Sequence, residues 1–366
     1  MIINYPHNKG THCETASLKN LFEFYGFTIS EEMIFGIGSG LNFIHFPFPF
    51  FTKNEASLFR TVPTAVLKNF SKRMKMHVEI HTYRSKEKSM KTLDVLLEQG
   101  IPTGVVTEVY GLYYWRAIMP EWHRFPGHHI IVVGKENDTY YLSETDMLFS
   151  NQTLYEISYQ ELKEARFTNK FTSPKGKLFY VKSIPEKIDM KPAILQGMKA
   201  TCHNMLEIPL PFFGAKGIKF LSKRMLAYEK IYGKSLAIDN LRFQLLLSEE
   251  AGTGGSGFRY FYATFLAEAA EIFKDNELLI FSNKMRMIAD EWRNFAVNTL
   301  RYTKVADNGY DPFPQTTTWE NLRKNPVDEK TDMMSLSDLI ASIADKEYVF
   351  FKELHTWVKN KGKKCV

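Results

Sequence analysis

Residues of the types needed for nucleophilic chemistry stand well apart in the chain: Cys13, the pair His128-His129, and the acids Glu144 and Asp146. Cys13 stands in Thr11-His12-Cys13-Glu14, where Thr11 and Glu14 have the spacing of a capping box. Leu18, Leu21, Phe22 and Tyr25 follow at helical intervals until Gly26 offers a stop. A helix is therefore expected to begin at the cysteine. The unpaired N–H groups and positive dipole end of such a start can lower a thiol pKa from about 8.5 to roughly 3.5–7.5. That chemistry makes a thiolate nucleophile, and the plainer alternative is a buried cysteine acting as a small hydrophobe.

A thiolate needs a base. Pro126 to Gly134 reads as a turn followed by a short buried strand, because it is β-branched and ends at glycine. Side chains alternate along a strand, so His128, Ile130 and Val132 share one face and His129, Ile131 and Val133 the other. Only one of the two histidines is then expected to face the cysteine. A polar turn, Lys135 to Asp138, and a second strand, Thr139 to Ser143, complete a hairpin that ends at Glu144-Thr145-Asp146. A carboxylate there can fix the tautomer and orientation of the imidazole. Each residue also has a structural reading, with the histidines capping a turn and the acids in a solvated loop. An early cysteine on a helix start and a much later histidine on a strand is the papain-like order.

These strings resemble a known family. GTHCETASLKNLFEFYG, the run Ser30 to Leu41, and GHHIIVVG followed by a strand and an acid resemble the domain named after butirosin biosynthesis protein H. EEAGTGGSGFRYFYATFLAEAAEIF resembles the helical domain usually fused to it, so the likeness extends over nearly the whole chain. It implies a papain-like fold used for acyl transfer. In the family's named member an aminoacyl chain passes from the phosphopantetheine thioester of an acyl carrier protein, through an acyl-cysteine, to an amine of an aminoglycoside. By that resemblance Cys13 is the nucleophile and His128, six residues before Gly134, the base. Glu144 falls at the orienting position, which is usually aspartate, and Asp146 is the alternative. His7 and Asn8 occupy the neighbourhood of the usual oxyanion-hole glutamine, and the Cys13 backbone N–H is a further donor.

At 366 residues, 44% hydrophobic and 24% charged, the chain has the length of two domains and the composition of a globular protein. Residues 1–6 lack the features of a signal peptide, and no apolar run is long enough to span a membrane. Cys13, Cys202 and Cys365 are too few and too scattered for a disulfide framework or zinc site, so a reducing cytoplasm is expected. The net charge of +6 comes without the basic, aromatic-interleaved stripe of a nucleic-acid binder. Basic clusters at Lys68–Lys75, Lys216–Arg224 and Lys359–Lys364 read as solvated helix faces, or as docking patches for an acidic carrier protein. The expected partners are thus an acyl carrier protein and a small-molecule amine, with no metal, no resident cofactor, no nucleic acid and no membrane. A homodimer is left open.

The pattern changes near Ser183 to Lys187, dividing the chain into an α+β papain-like catalytic domain, 1–185, and a helical domain, 186–366. The aromatic run Phe43 to Phe51 reads as a strand edge or loop on the core, or as one wall of an acyl tunnel. Gly252 to Gly257, followed by Arg259, reads as a permissive helix–helix turn or as an anion site for the donor phosphate. The expected function is a cysteine-dependent acyltransferase. The alternatives are an amidohydrolase or peptidase of the same architecture, and a binding protein with a decayed site.

Overall fold

The fold is that of a computed structural model, which describes residues 2–49, 53–118, 121, 124–146, 152–168, 173–303 and 331–362. Cys365, Phe50 and Phe51 lie outside the described residues. The chain starts with helices α1 (Cys13–Phe24) and α2 (Glu31–Ile37), then an antiparallel pair, β1 (Leu41–Phe46) and β2 (Ala56–Arg60). There follow α3 (Ala65–Arg73), β3 (His77–His81), α4 (Lys86–Glu98), β4 (Thr103–Thr107), α5 (Tyr113–Arg116), β5 (His128–Glu136), β6 (Thr139–Ser143), β7 (Leu154–Ser158), α6 (Tyr159–Arg166) and β8 (Leu178–Ser183). The remainder is helical: α7 (Met190–Leu206), α8 (Gly214–Met225), α9 (Tyr228–Glu249), α10 (Arg259–Phe273), α11 (Asn276–Thr303) and α12 (Met333–Gly362).

By packing, the chain divides into two compact units, Met1–Ile34 with Val62–Asp189, and Phe35–Thr61 with Met190–Val366. This differs from a single division at 185/186, because residues 35–61 pack with the helices. The physical reason is the aromatic content of β1 and β2. Phe43 is fully buried against Phe59 and Trp292, with ring centroids 5.4 and 6.2 Å away, so the tightly packed part of this run is core of the second unit. Phe48 is half exposed.

The first unit is built on a six-stranded antiparallel sheet in the order β3-β8-β4-β5-β6-β7. Its central strand β5 is apolar on both faces, and Ile130 to Val133 are all fully buried. Ile130 and Val132 join Met90 and Leu93 of α4 and Leu162 of α6 in one cluster. Burying each such side chain contributes about 1.5–3 kcal/mol. Helix α1 buries Leu18, Leu21 and Phe22, and Ser17 donates to the His129 carbonyl of β5 at 3.1 Å. Glu136 pairs with Thr139, so the hairpin turn is the two residues Asn137 and Asp138, with Asn137 in the left-handed region.

The second unit is dominated by two long helices whose buried residues recur every three or four positions, Leu278, Phe281, Met285, Ile288, Trp292 and Phe295 on α11, and Leu336, Ile340, Ile343, Glu347, Phe350 and Leu354 on α12. Among the described residues no helix is long and apolar enough to cross a membrane.

Candidate active site

Helix α1 begins at Cys13, but not by the expected capping box. The N-cap is His12, and it makes no side-chain cap bond. Glu14 instead turns away and accepts the backbone N–H groups of Thr64 and Leu67 at 3.1 and 3.0 Å, capping α3. Glu31, from the first turn of α2, accepts from Thr11 N–H at 3.1 Å, His12 N–H at 3.3 Å and the Thr15 hydroxyl at 2.9 Å. Glu31 thus takes the place expected of Glu14. A capping box is a local device, and here the buried acids find better-placed donors on neighbouring elements.

Around Cys13 the structure gathers His128, His129, Glu144 and Asp146. One ligand-type atom each of Cys13, His128 and Asp146 lies within 4.8 Å of the others. His128 is the first residue of β5, and its Nε2 is 2.8 Å from Glu144 Oε2. That leaves Nδ1 as the nitrogen for the thiol. Glu144 directly follows β6 and is crowded with donors. Its Oε2 also accepts from the Tyr114 hydroxyl at 3.0 Å and Trp115 Nε1 at 3.2 Å, while Oε1 accepts the Thr145 and Asp146 backbone N–H groups at 2.9 and 3.1 Å. Trp115 also packs edge-on to the His128 ring, with centroids 5.5 Å apart. Such saturation keeps a fully buried carboxylate ionised and immobile.

Of the two histidines His128 is the one set with Cys13 and Asp146, whereas His129 Nδ1 donates to the Gly127 carbonyl at 2.9 Å and its Nε2 lies 3.4 Å from the Thr64 hydroxyl. The two are consecutive on β5, where side chains alternate between faces.

The charges follow from these contacts. Burial pushes the Cys13 thiol up, yet hydrogen bonds and positive charge from His128 and His129 outweigh it and bring the thiol down to about 5. Burial opposes charge on His128, and Glu144 together with the thiolate hold its pKa well above the usual histidine value. For Glu144 burial is again overcome, by the charge and hydrogen bond of His128, and its pKa is lowered. Asp146 goes the other way: burial, and then the Cys13 charge, hold its carboxyl well above the usual range. Cys13 and His128 are therefore an ion pair, with Asp146 beside it. Buried Cys202 is pushed up by desolvation. Among the described residues Cys13, His128 and Asp146 are also the one set whose donor types and spacing could admit a metal ion.

Of the two candidates for the oxyanion, Asn8 commits its amide to Glu23 on the surface at 3.1 Å, and His7 is half-buried with Nδ1 3.0 Å from the Ser143 hydroxyl. Arg259 is not at an anion site. It is fully buried in a two-pronged ion pair with Glu347, both bonds 2.9 Å, and Nη1 donates to the Gly257 carbonyl at 2.7 Å. Trp292 Nε1 joins the same carboxylate at 2.7 Å. The glycine run supplies the left-handed turns that bring this pair together, with Gly252, Gly254, Gly255 and Gly257 all at positive φ.

A reactive thiol on a helix start, an imidazole on the adjoining strand and a carboxylate behind it, set on an antiparallel sheet, define a papain-like cysteine enzyme. The chain belongs to the family described as domain of unknown function DUF4872, which matches residues 160–354, and its residues 12–145 match the family model described as butirosin biosynthesis protein H, N-terminal. A crystal structure described as a C39-like peptidase from Bacillus anthracis is similar at 14% identity and a TM-score of 0.33, over 50% of this chain and 98% of that one. No curated protein matches the chain.

Proposed function

We propose that this protein is an acyltransferase that takes an acyl group from a carrier-protein thioester onto Cys13 and passes it to an amine. The observation that supports this reading most is the Cys13 thiolate, preformed at neutral pH by its neighbours and by the α1 N-terminus. The Cys13 thiolate attacks the thioester carbonyl, and the resulting oxyanion is met by N–H groups of the first turn of α1, which have no carbonyl partner within the helix. As the tetrahedral species collapses, the C–S bond to the donor breaks and His128 gives its proton to the departing thiolate. His128, now neutral, takes a proton from the amine that attacks the acyl-Cys13 carbonyl, and the thiolate is regenerated. Glu144 keeps Nδ1 aimed at the sulfur through both halves. The butirosin H resemblance supports a phosphopantetheine-borne donor.

Intact-mass analysis after incubation with acyl thioesters, followed by a panel of amines, tests the reading. The expected result is a single acyl adduct, absent in Cys13→Ala, that amines discharge as amides. An adduct discharged only by water would instead make the protein an amidohydrolase.

A further inference from the structure

The proposed transfer uses Cys13, His128 and Glu144 and leaves Asp146 without a task. Yet Asp146 stands at the reaction centre: one of its carboxylate oxygens, Cys13 Sγ and a ring nitrogen of His128 all lie within 4.8 Å of one another. Its backbone is pinned twice. The Asp146 N–H donates to Glu144 Oε1 at 3.1 Å, and the carbonyl of the preceding Thr145 accepts from the N–H of Gly10, just ahead of α1, at 3.0 Å. The side chain is not committed in the same way. Glu144 has both oxygens taken, by His128, Tyr114, Trp115 and two backbone N–H groups, whereas the Asp146 carboxylate makes no hydrogen bond or ion pair among the described residues. Asp146 is also only partly buried, so water and a substrate can reach it.

Taken with the proposed transfer to an amine, on which this inference rests, that carboxylate has a use. An aliphatic amine arrives as an ammonium, since such groups have pKa values of about 10. In the resting site it would meet the His128 imidazolium. Acylation changes this, because the thiolate becomes a neutral thioester and His128 has given its proton to the departing thiolate. The two acids, Glu144 and Asp146, are then left without a cation. Burial and the Cys13 charge hold the Asp146 carboxyl well above the usual range, and acylation removes the second of those causes. We propose that Asp146 binds the acceptor, its carboxylate pairing with the incoming ammonium and holding that nitrogen against the acyl-Cys13 carbonyl. One ammonium proton passes by way of the carboxylate to water at its exposed side, and His128 takes the second as the C–N bond forms. The C–S bond breaks with its electron pair left on Sγ. The acyl-thioester, an ammonium and a neutral imidazole thus give an amide, a thiolate, an imidazolium and one proton released to water.

The test compares a charged acceptor with an uncharged one. Cys13 is acylated with 4-nitrophenyl acetate in the presence of EDTA, which keeps metal ions off Cys13, His128 and Asp146. Loss of the acetyl group is then followed by intact mass with 1,4-diaminobutane, or with hydroxylamine, a nitrogen nucleophile that is uncharged at neutral pH. Asp146→Asn keeps the size of the side chain and removes its charge. The expected result is a fall of about 10²-fold in the ratio of diaminobutane discharge to hydroxylamine discharge, the scale on which a lost charge partner or proton acceptor is felt. A ratio that changes by less than about tenfold would overturn the proposal, because a merely structural role slows both nucleophiles alike. Should Asp146→Asn not fold, wild type decides. Its acyl-enzyme should favour diaminobutane over hydroxylamine by about tenfold or more relative to the same pair acting on a thioester free in solution, and the lack of that preference overturns the proposal. An acyl-enzyme discharged by neither amine faster than by water would instead sink the acyltransferase reading itself.

Discussion

Glu144 Oε2 and His128 Nε2 lie 2.8 Å apart with both side chains buried, and the same oxygen is shared by Tyr114 and Trp115. Its charge therefore acts on one imidazole in one orientation. Glu144→Gln should lower the acylation rate by up to about 10⁴-fold, the scale seen when an orienting carboxylate is lost. Asp146→Asn should cost far less, because Asp146 does not hold Nε2. Rapid-quench acylation with a thioester measures both.

The thiol sets the pH dependence. With its pKa down at about 5, Cys13 should be alkylated by iodoacetamide at nearly full rate at pH 6–7, whereas an ordinary thiol gains rate only toward about pH 8.5. Glu144→Gln removes the charge that holds His128 protonated, so the rising limb should move to higher pH. For folding the signs are opposite. The depressed thiol stabilises above its unfolded value and loses that contribution as pH falls through about 5. The raised His128 stabilises below about 6.5 and loses it as pH climbs through its folded value. Chemical denaturation of wild type and Cys13→Ala across pH checks the second part.

Removing one partner of the buried Arg259–Glu347 pair leaves the other charge without compensation. Arg259→Ala should cost about 3–5 kcal/mol and lower the melting temperature. Donors with and without a phosphate should react with the same relative rates as in wild type. A selective loss with the phosphorylated donor would return Arg259 to a binding role.

Glu14→Ala strips two buried N–H groups, those of Thr64 and Leu67, of their acceptor. Each orphaned donor costs about 1–3 kcal/mol. Hydrogen exchange should show the loss at the start of α3 before it reaches β5.

Much of this was legible in the sequence because it is local. The β-branched run after His128 reads as a buried strand, and the helix does start at Cys13, since periodicity and strand propensity are properties of neighbouring residues. The capping of that start was not legible. Thr11 and Glu14 have the right spacing, but Glu14 is drawn to α3 and its place is taken by Glu31, a partner only the tertiary fold supplies. Tyr114 and Trp115 reach Glu144 for the same reason, with only their polar tips as a sequence signal. Arg259 beside six residues of glycine and small polar side chains suggested an anion site, and its acid, Glu347, lies on a helix far down the chain.

Residues 35–61 pack with a body whose other residues begin at Met190, and this has a consequence for the order in which the protein can be made. Phe59 and Phe43 are finished by Trp292, which follows Phe59 by more than 200 residues. At roughly 5–20 residues per second the aromatic pair must wait about 10–50 s on the ribosome before its covering helix exists. The first unit can close around Cys13 only with that sticky loop still hanging from it. A fragment ending at residue 185 would never outgrow that state, and is expected to need a chaperone or to aggregate.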